Sequence, residues 1–250
     1  MRLDSLVDYL DGYLRIRAIA DSEYAMNGLQ VANSGEVHRL ATAVDVCAAT
    51  IRSAGTRMGT LLIVHHGLFW GGPAPIVGPA RDRMAALLAG DVALYAAHLP
   101  LDLHPDVGNN ALLARGLELR VAGPFGDAHG QPIGVWGELA LTRDQLEQRL
   151  AHVLGRPPRL LPFGPAETRR IGIVSGAAGS MIAEAARAGL DTFITGEGSH
   201  HTFFDAEELG LNVFYGGHYA TETFGVRALG EHLSAKFGLP AEFIDHPTGL

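Results

Sequence analysis

The chain has 250 residues, with 19 Lys and Arg against 27 Asp and Glu and a formal charge of −8. That length allows one large domain or two small ones, either with a substantial core. The acidic balance excludes a general nucleic-acid binder, which needs a basic face for phosphates, although a local basic patch still suits a single anionic metabolite. Cys47 is the only cysteine, so no intrachain disulfide forms. It reads as a small buried apolar residue in a chain suited to a reducing cytoplasm.

Asp4, Asp8 and Asp11 stand where a signal peptide would carry its apolar stretch. No apolar run approaches the roughly 20 residues that span a bilayer. The expectation is a soluble cytoplasmic protein without membrane or nucleic-acid partners. Its 12 histidines direct attention to metal chemistry.

Residues 4–15 read as an amphipathic helix, with Leu6, Val7, Leu10 and Leu14 on one stripe and Asp4 or Ser5 as cap. Asn27-Gly28 is a turn signal. A strand follows over 39–46, then a helix to about Gly55. Thr60–Val64 is a short continuous apolar run, read as a buried strand, and it leads straight into His65-His66-Gly67. Successive side chains on a strand point to opposite faces, so the expectation is that Gly67 turns the backbone and lets both rings converge. A Gly/Pro-rich loop over 71–80, a helix over 80–90 and a strand over 92–97 lead to His98 and Asp102.

A helix is expected over 108–117, and strands and turns over 121–137. Thr142-x-x-Gln145 is a capping box opening a helix with Leu146, Leu150 and Leu154. The proline-rich stretch 155–168 reads as a connection. Strands then follow at 171–174, 191–195 and 212–217. The first is followed by an alanine-rich helix over 180–188, the second by Gly196-Glu197-Gly198-Ser199-His200-His201, and the third by His218. A long helix from about 221 closes the chain.

The two halves repeat. Val92–His98 lies over Asn212–His218 with Tyr95 and Tyr215 in register, and a carboxylate follows each histidine by four residues, Asp102 and Glu222. The preceding strand of each half is expected to end with a histidine pair, His65-His66 and His200-His201. Such self-similarity points to a duplicated β-α-β plan. The expected architecture is α/β: duplicated three-layer α/β/α units with mixed sheets, residues 1–125 and 126–250, facing each other across a central metal cleft.

Imidazole and carboxylate ligands together suit Zn, Fe, Mn or Co rather than calcium, and five or more ligands exceed a tetrahedral structural zinc. Two ions about 3.5–4 Å apart, bridged by a carboxylate and a water, would use them all and supply hydroxide at neutral pH. Gly176–Gly179 lacks a full phosphate-binding fingerprint. Ser175 and Ser199 lack the surroundings of a nucleophile elbow. Phe69, Trp70 and Tyr219 are read as cleft walls or core. His38, His104, His129, His152, His232 and His246 are read as solvated or locally bonded.

Asn27–Val31, His65–Phe69, His98–Asp102, Gly108–Asn110, Gly196–His201 and Gly217–Glu222 together resemble the dinuclear-metal-centre proteins of NIF-three-like type, often called type 2 GTP cyclohydrolase I homologues. The resemblance runs in order over nearly the whole chain. It implies a toroidal homohexamer with two divalent metal ions per chain (Zn, Fe or Mn), held by His65, His66, Asp102, His218 and Glu222, with Asp102 or Glu222 bridging. His98, Glu197 and His201 would lie close by, with His98 and Glu197 in catalytic, proton-relaying roles. The implied activity is hydrolysis of a small nucleotide-like or cyclic-amidine substrate, GTP among the candidates, by hydroxide attack at C8 of a guanine ring. A non-catalytic metal-binding oligomeric scaffold or partner-binding protein is the alternative. The chain departs from the family at Gly67, where proline is commoner, in the few basic groups of the loop to residue 91, and in lacking the extra domain of longer relatives.

Overall fold

Two apolar strand clusters, one in each half of the sequence, set up two separate mixed sheets in the computed structural model, which describes residues 1–249. Met1–Leu101 with Gly225–His246 form one compact unit, and Asp102–Phe224 form the body of the other.

In the first unit, β1 (Gly28–Val31), β2 (Arg39–Asp45), β3 (Thr60–His66), β4 (Val92–Ala96) and β11 (Ala241–Phe243) make a sheet of order β1-β4-β3-β2-β11. Strands β2, β3 and β4 are parallel, linked by α2 (Ala48–Ala54) and α3 (Gly78–Ala89), while β1 is antiparallel to β4. The reason for the continuous apolar runs is plain: Leu62, Val64, Leu94 and Ala96 are buried with Ile51, Ala54 and Leu87 from the helices. Each such side chain, fully buried, contributes roughly 1.5–3 kcal/mol.

Strand β3 runs beyond its apolar residues and through both histidines, because β2 stays paired with it as far as Asp45 opposite His66. The predicted turn at Gly67 is therefore not what brings the rings together. They meet within the strand, their centroids 4.8 Å apart. The first helix, α1 (Leu3–Tyr13), begins before Asp4 and Ser5, with Arg2 at its N-cap and no side-chain cap.

The second unit repeats the plan. Strands β8 (Glu167–Val174), β9 (Thr192–Thr195) and β10 (Asn212–Tyr215) are parallel, with α7 (Ile182–Arg187) and α8 (Thr202–Leu209) between them. The hairpin β5 (Arg120–Ala128) and β6 (Gln131–Thr142) adds two antiparallel strands on one side. The other edge is β7 (Arg159–Pro162), antiparallel to β10. Residues 155–168 are thus more than a connection; a sheet edge tolerates their prolines.

Helix α6 (Arg143–Leu154) opens with the expected capping box: Gln145 N–H donates to Thr142 Oγ1 at 3.2 Å, and Gln145 Oε1 accepts from Thr142 N–H at 3.0 Å. Its Leu146 and Leu150 pack with Leu113, Ile171, Ile173 and Phe214. The short helix α4 (Leu99–Asp102) follows His98, α5 (Asn109–Gly116) follows the Gly108-Asn109 signal, and α9 (His218–Phe237) starts at His218 itself rather than three residues later. Among the described residues no helix is long and apolar enough to cross a membrane.

Candidate metal centre

In the first unit the histidines stand at the carboxyl ends of β3 and β4, where parallel strands offer ligands. His65, His66 and His98 each present a ring nitrogen, and these nitrogens lie within 4.8 Å of one another. The partner of each Nδ1 fixes its tautomer. His65 Nδ1 lies 2.9 Å from the Ala97 carbonyl oxygen, His66 Nδ1 2.8 Å from Asp45 Oδ1, and His98 Nδ1 3.0 Å from Asp21 Oδ1. Carbonyl and carboxylate oxygens accept, so Nδ1 carries the proton in all three and Nε2 carries the lone pair in the neutral ring.

Asp21 is central to how His98 is held. Its Oδ2 also accepts from Asn27 Nδ2 at 2.8 Å and Leu99 N–H at 3.0 Å, while Asn27 Oδ1 accepts the His98 N–H at 2.7 Å. Burial pushes the Asp21 carboxyl up, but the His98 imidazole and these donors outweigh it and hold the group below the ordinary carboxylate range. The Asn27-Gly28 signal thus marks a residue that positions His98 just before β1 rather than a turn. Trp70 stands edge-on to His98, centroids 4.7 Å apart, and its buried indole N–H has no acceptor among the described residues.

In the second unit, His218 and Glu222 are successive turns of α9, with Nε2 and Oε2 3.2 Å apart. His218 Nδ1 lies 2.9 Å from Glu197 Oε1, the same carboxylate-to-Nδ1 arrangement seen in the first unit. The Glu222 carboxylate, with help from Glu197 and against burial, pushes His218 up to about 9. His218 must therefore lose a proton before Nε2 ligates a metal. Glu222 is only 2% exposed. Gly176, at φ +69°, leaves room for it: a β-carbon there would collide with the Glu222 carboxylate.

Asp102 is also buried, its Oδ1 accepting from Asn109 Nδ2 at 2.8 Å and Ser175 Oγ at 3.1 Å. Ser175 is thus a carboxylate-orienting hydroxyl rather than a nucleophile candidate. Asn110 braces the same corner, accepting the Ser175 N–H at 2.7 Å and donating to the Ile133 carbonyl at 2.8 Å.

The second histidine pair differs from the first. Strand β9 ends at Thr195, five residues before His200, so His200 and His201 are exposed at the start of α8. His201 lines a cavity of about 340 Å³ with Glu197, Ser180 and Ser199, whereas His200 faces a different one. Asp45, Asp21, Asn109 and Ser175 escaped sequence reasoning as positioning residues. Only Asn109, inside the Gly108–Asn110 segment, carried a signal that could have found it.

The donor set fits a transition metal. In the first unit three imidazoles have Nδ1 tied to a carboxylate or carbonyl oxygen, the arrangement that orients metal-ligating histidines, and in the second unit His218 has the same arrangement beside the buried Glu222 carboxylate.

A Deinococcus radiodurans protein named GTP cyclohydrolase 1 type 2 homolog is 45% identical over 249 residues, covering 99% of this chain and 94% of that one. A Pyrococcus abyssi protein of the same name is 44% identical with both chains fully covered. A crystal structure of a Thermus thermophilus protein superposes with a TM-score of 0.91 at 43% identity, again covering both chains fully. The Duf34/NIF3 family (NGG1p interacting factor 3) matches residues 1–248, and the chain belongs to that family.

Proposed function

We propose that the protein is a dinuclear metal-dependent hydrolase acting on a small nucleotide-like or cyclic-amidine substrate. His65, His66, Asp102, His218 and Glu222 hold two divalent ions, Zn, Fe or Mn. The observation that carries this reading is the common anchoring of Nδ1 in His65, His66, His98 and His218, which leaves four Nε2 atoms as the ligating or proton-carrying positions. When bound, such an ion pair lowers the pKa of a water and polarises the substrate.

The rest of the work falls to the chain's own side chains. His98, fixed by Asp21, exchanges a proton at Nε2 while the carboxylate steadies the imidazolium form. Glu197, bonded through Oε1 to His218 and partly exposed, is the second proton carrier. The Trp70 indole N–H is a donor for a substrate oxygen. Leu68 and Phe69, which follow the histidine pair in the chain, line a cavity of about 460 Å³ together with Tyr24, Ile76, Arg83 and Met84. A planar ring fits its aromatic and aliphatic walls, and Arg83 supplies a cation for an anionic substituent. GTP is the first substrate to assay, and the acidic chain with its lone Cys47 suits a reducing cytoplasm.

A second reading, a metal-binding scaffold that assembles into a hexamer, is favoured by one observation. Ile76, Val77 and Leu88 are large apolar side chains more than half exposed, as expected of a surface covered by another copy. His65→Ala separates the two. Loss of ring-opening turnover of GTP or a related cyclic amidine, with oligomeric state intact, supports the enzyme. Loss of the oligomer in His65→Ala, with no turnover by the wild-type protein, supports the scaffold.

A further inference from the structure

The second unit has another cavity, of about 520 Å³, which shares Gly198, Ser199 and Thr202 with the one that Glu197 and His201 line. It is lined by Arg159 and Leu161 of β7, Tyr215 of β10, Gly198–His200, and Thr202–Phe204 of α8. None of its polar side chains is among the proposed metal ligands or proton carriers.

Its walls divide by chemistry. One is aromatic. His200 meets Phe204 edge-on with centroids 5.8 Å apart, and Phe204 meets Phe203 edge-on at 5.5 Å. Phe203 is in turn backed by Phe163 at 5.1 Å. Phe203 and Phe204 are 37% and 49% exposed, unusual for rings already locked against one another.

The other wall is polar and held in place. Thr202 Oγ1 donates to the Ser199 carbonyl at 2.6 Å, so the Tyr215 hydroxyl, 2.6 Å away, donates to Thr202. Gly198 permits this closeness, since a β-carbon there would collide with the Tyr215 hydroxyl. Arg159 sits opposite Tyr215 in strand register. Its charge acts on the Tyr215 hydroxyl, against the burial that pushes that group up. Arg159 forms no ion pair among the described residues. Asp205 also acts on the Tyr215 hydroxyl but does not line the cavity.

A rigid aromatic corner facing an uncommitted guanidinium is complementary to one kind of molecule. We propose that this cavity binds a small aromatic anion, its ring against Phe204 and His200 and its charged group on Arg159. Stacking on the rings supplies sequence-independent affinity for a flat molecule. The guanidinium selects for an anionic group with a planar face of oxygens. The site lies apart from the metal-ligating side chains and does not depend on them being loaded.

Calorimetric titration of the full chain tests this, with naphthalene-1-sulfonate as probe and two relatives, the neutral 1-naphthalenemethanol and the cationic 1-naphthylmethylammonium. The expected result is one saturable sulfonate site per chain, weaker binding of the alcohol and weakest binding of the ammonium. Arg159→Met should weaken the sulfonate about tenfold, the loss of one charge-assisted contact, and leave the alcohol within about twofold. Phe204→Ser should weaken sulfonate and alcohol alike. Both positions are exposed, and unchanged melting and metal content would show that the variants fold. Sulfonate binding should persist after chelator treatment, which keeps this test independent of the metal centre. Equal affinity for all three probes, indifference to Arg159→Met, absence of a saturable site, or loss of binding on chelation would each overturn the proposal.

Discussion

His66 and Asp45 face each other across neighbouring parallel strands, and the imidazole donates its Nδ1 proton to Asp45 Oδ1 at 2.8 Å. The carboxylate fixes the ring's orientation and makes Nε2 a better ligand. Asp45→Ala should therefore lower metal affinity about 10–100-fold with little effect on folding. Competition with a coloured chelator measures this. Unchanged affinity would mean that His66 does not need its carboxylate, or does not ligate.

Asp45 also shows what the sequence hides. It is 21 residues from His66, and Asp21 is 77 residues from His98; no local pattern joins either pair. By contrast, strands such as Thr60–Val64 and Val92–Ala96 were legible because their burial leaves an unbroken apolar run. The Thr142–Gln145 capping box was legible because it is complete within four residues. Strand β7 was masked by Pro157, Pro158 and Pro162, and β11 is short and partly exposed; both exist through pairing with distant strands. The likeness of His200-His201 to His65-His66 misled for a related reason. Identical residue pairs differ when one lies inside a strand and the other five residues beyond one. The positions of His98 and His218, each with a carboxylate four residues on, could be read from the sequence because each directly follows an apolar strand of the duplicated core.

Asn109 Nδ2 donates to Asp102 Oδ1 at 2.8 Å in a fully buried setting. Removing the amide leaves a buried carboxylate short of one donor. Asn109→Ala should cost about 1.5–3 kcal/mol in urea unfolding of the chelator-treated protein, the range for a hydrogen bond to a charged group. A loss under half a kcal/mol, on the order of a surface change, would show that Asp102 is satisfied otherwise.

Gly176 combines a left-handed φ with the close approach of Glu222. Gly176→Ala should destabilise by about 1–3 kcal/mol from backbone strain alone and should displace the Glu222 carboxylate. Thermal melting reads the first effect and metal titration the second. A variant as stable as wild type that binds metal normally would contradict both.

Tyr95 provides a control in the same strand that leads to His98. Its buried hydroxyl donates to Asp11 Oδ1 at 2.8 Å, and burial with the Asp11 charge pushes the phenol well above its ordinary range. Tyr95→Phe should lower stability by roughly 1–3 kcal/mol while metal content stays at the wild-type level. A fall in metal content would tie the Tyr95–Asp11 contact to the metal centre.

Elemental analysis of the purified protein, alongside His65→Ala and Glu222→Ala, reads out the paired metal site. The expected result is about two transition-metal equivalents per chain, falling in both variants. Less than about half an equivalent in protein never exposed to chelator, and no recovery on adding Zn, Mn or Fe, would contradict a site for two ions.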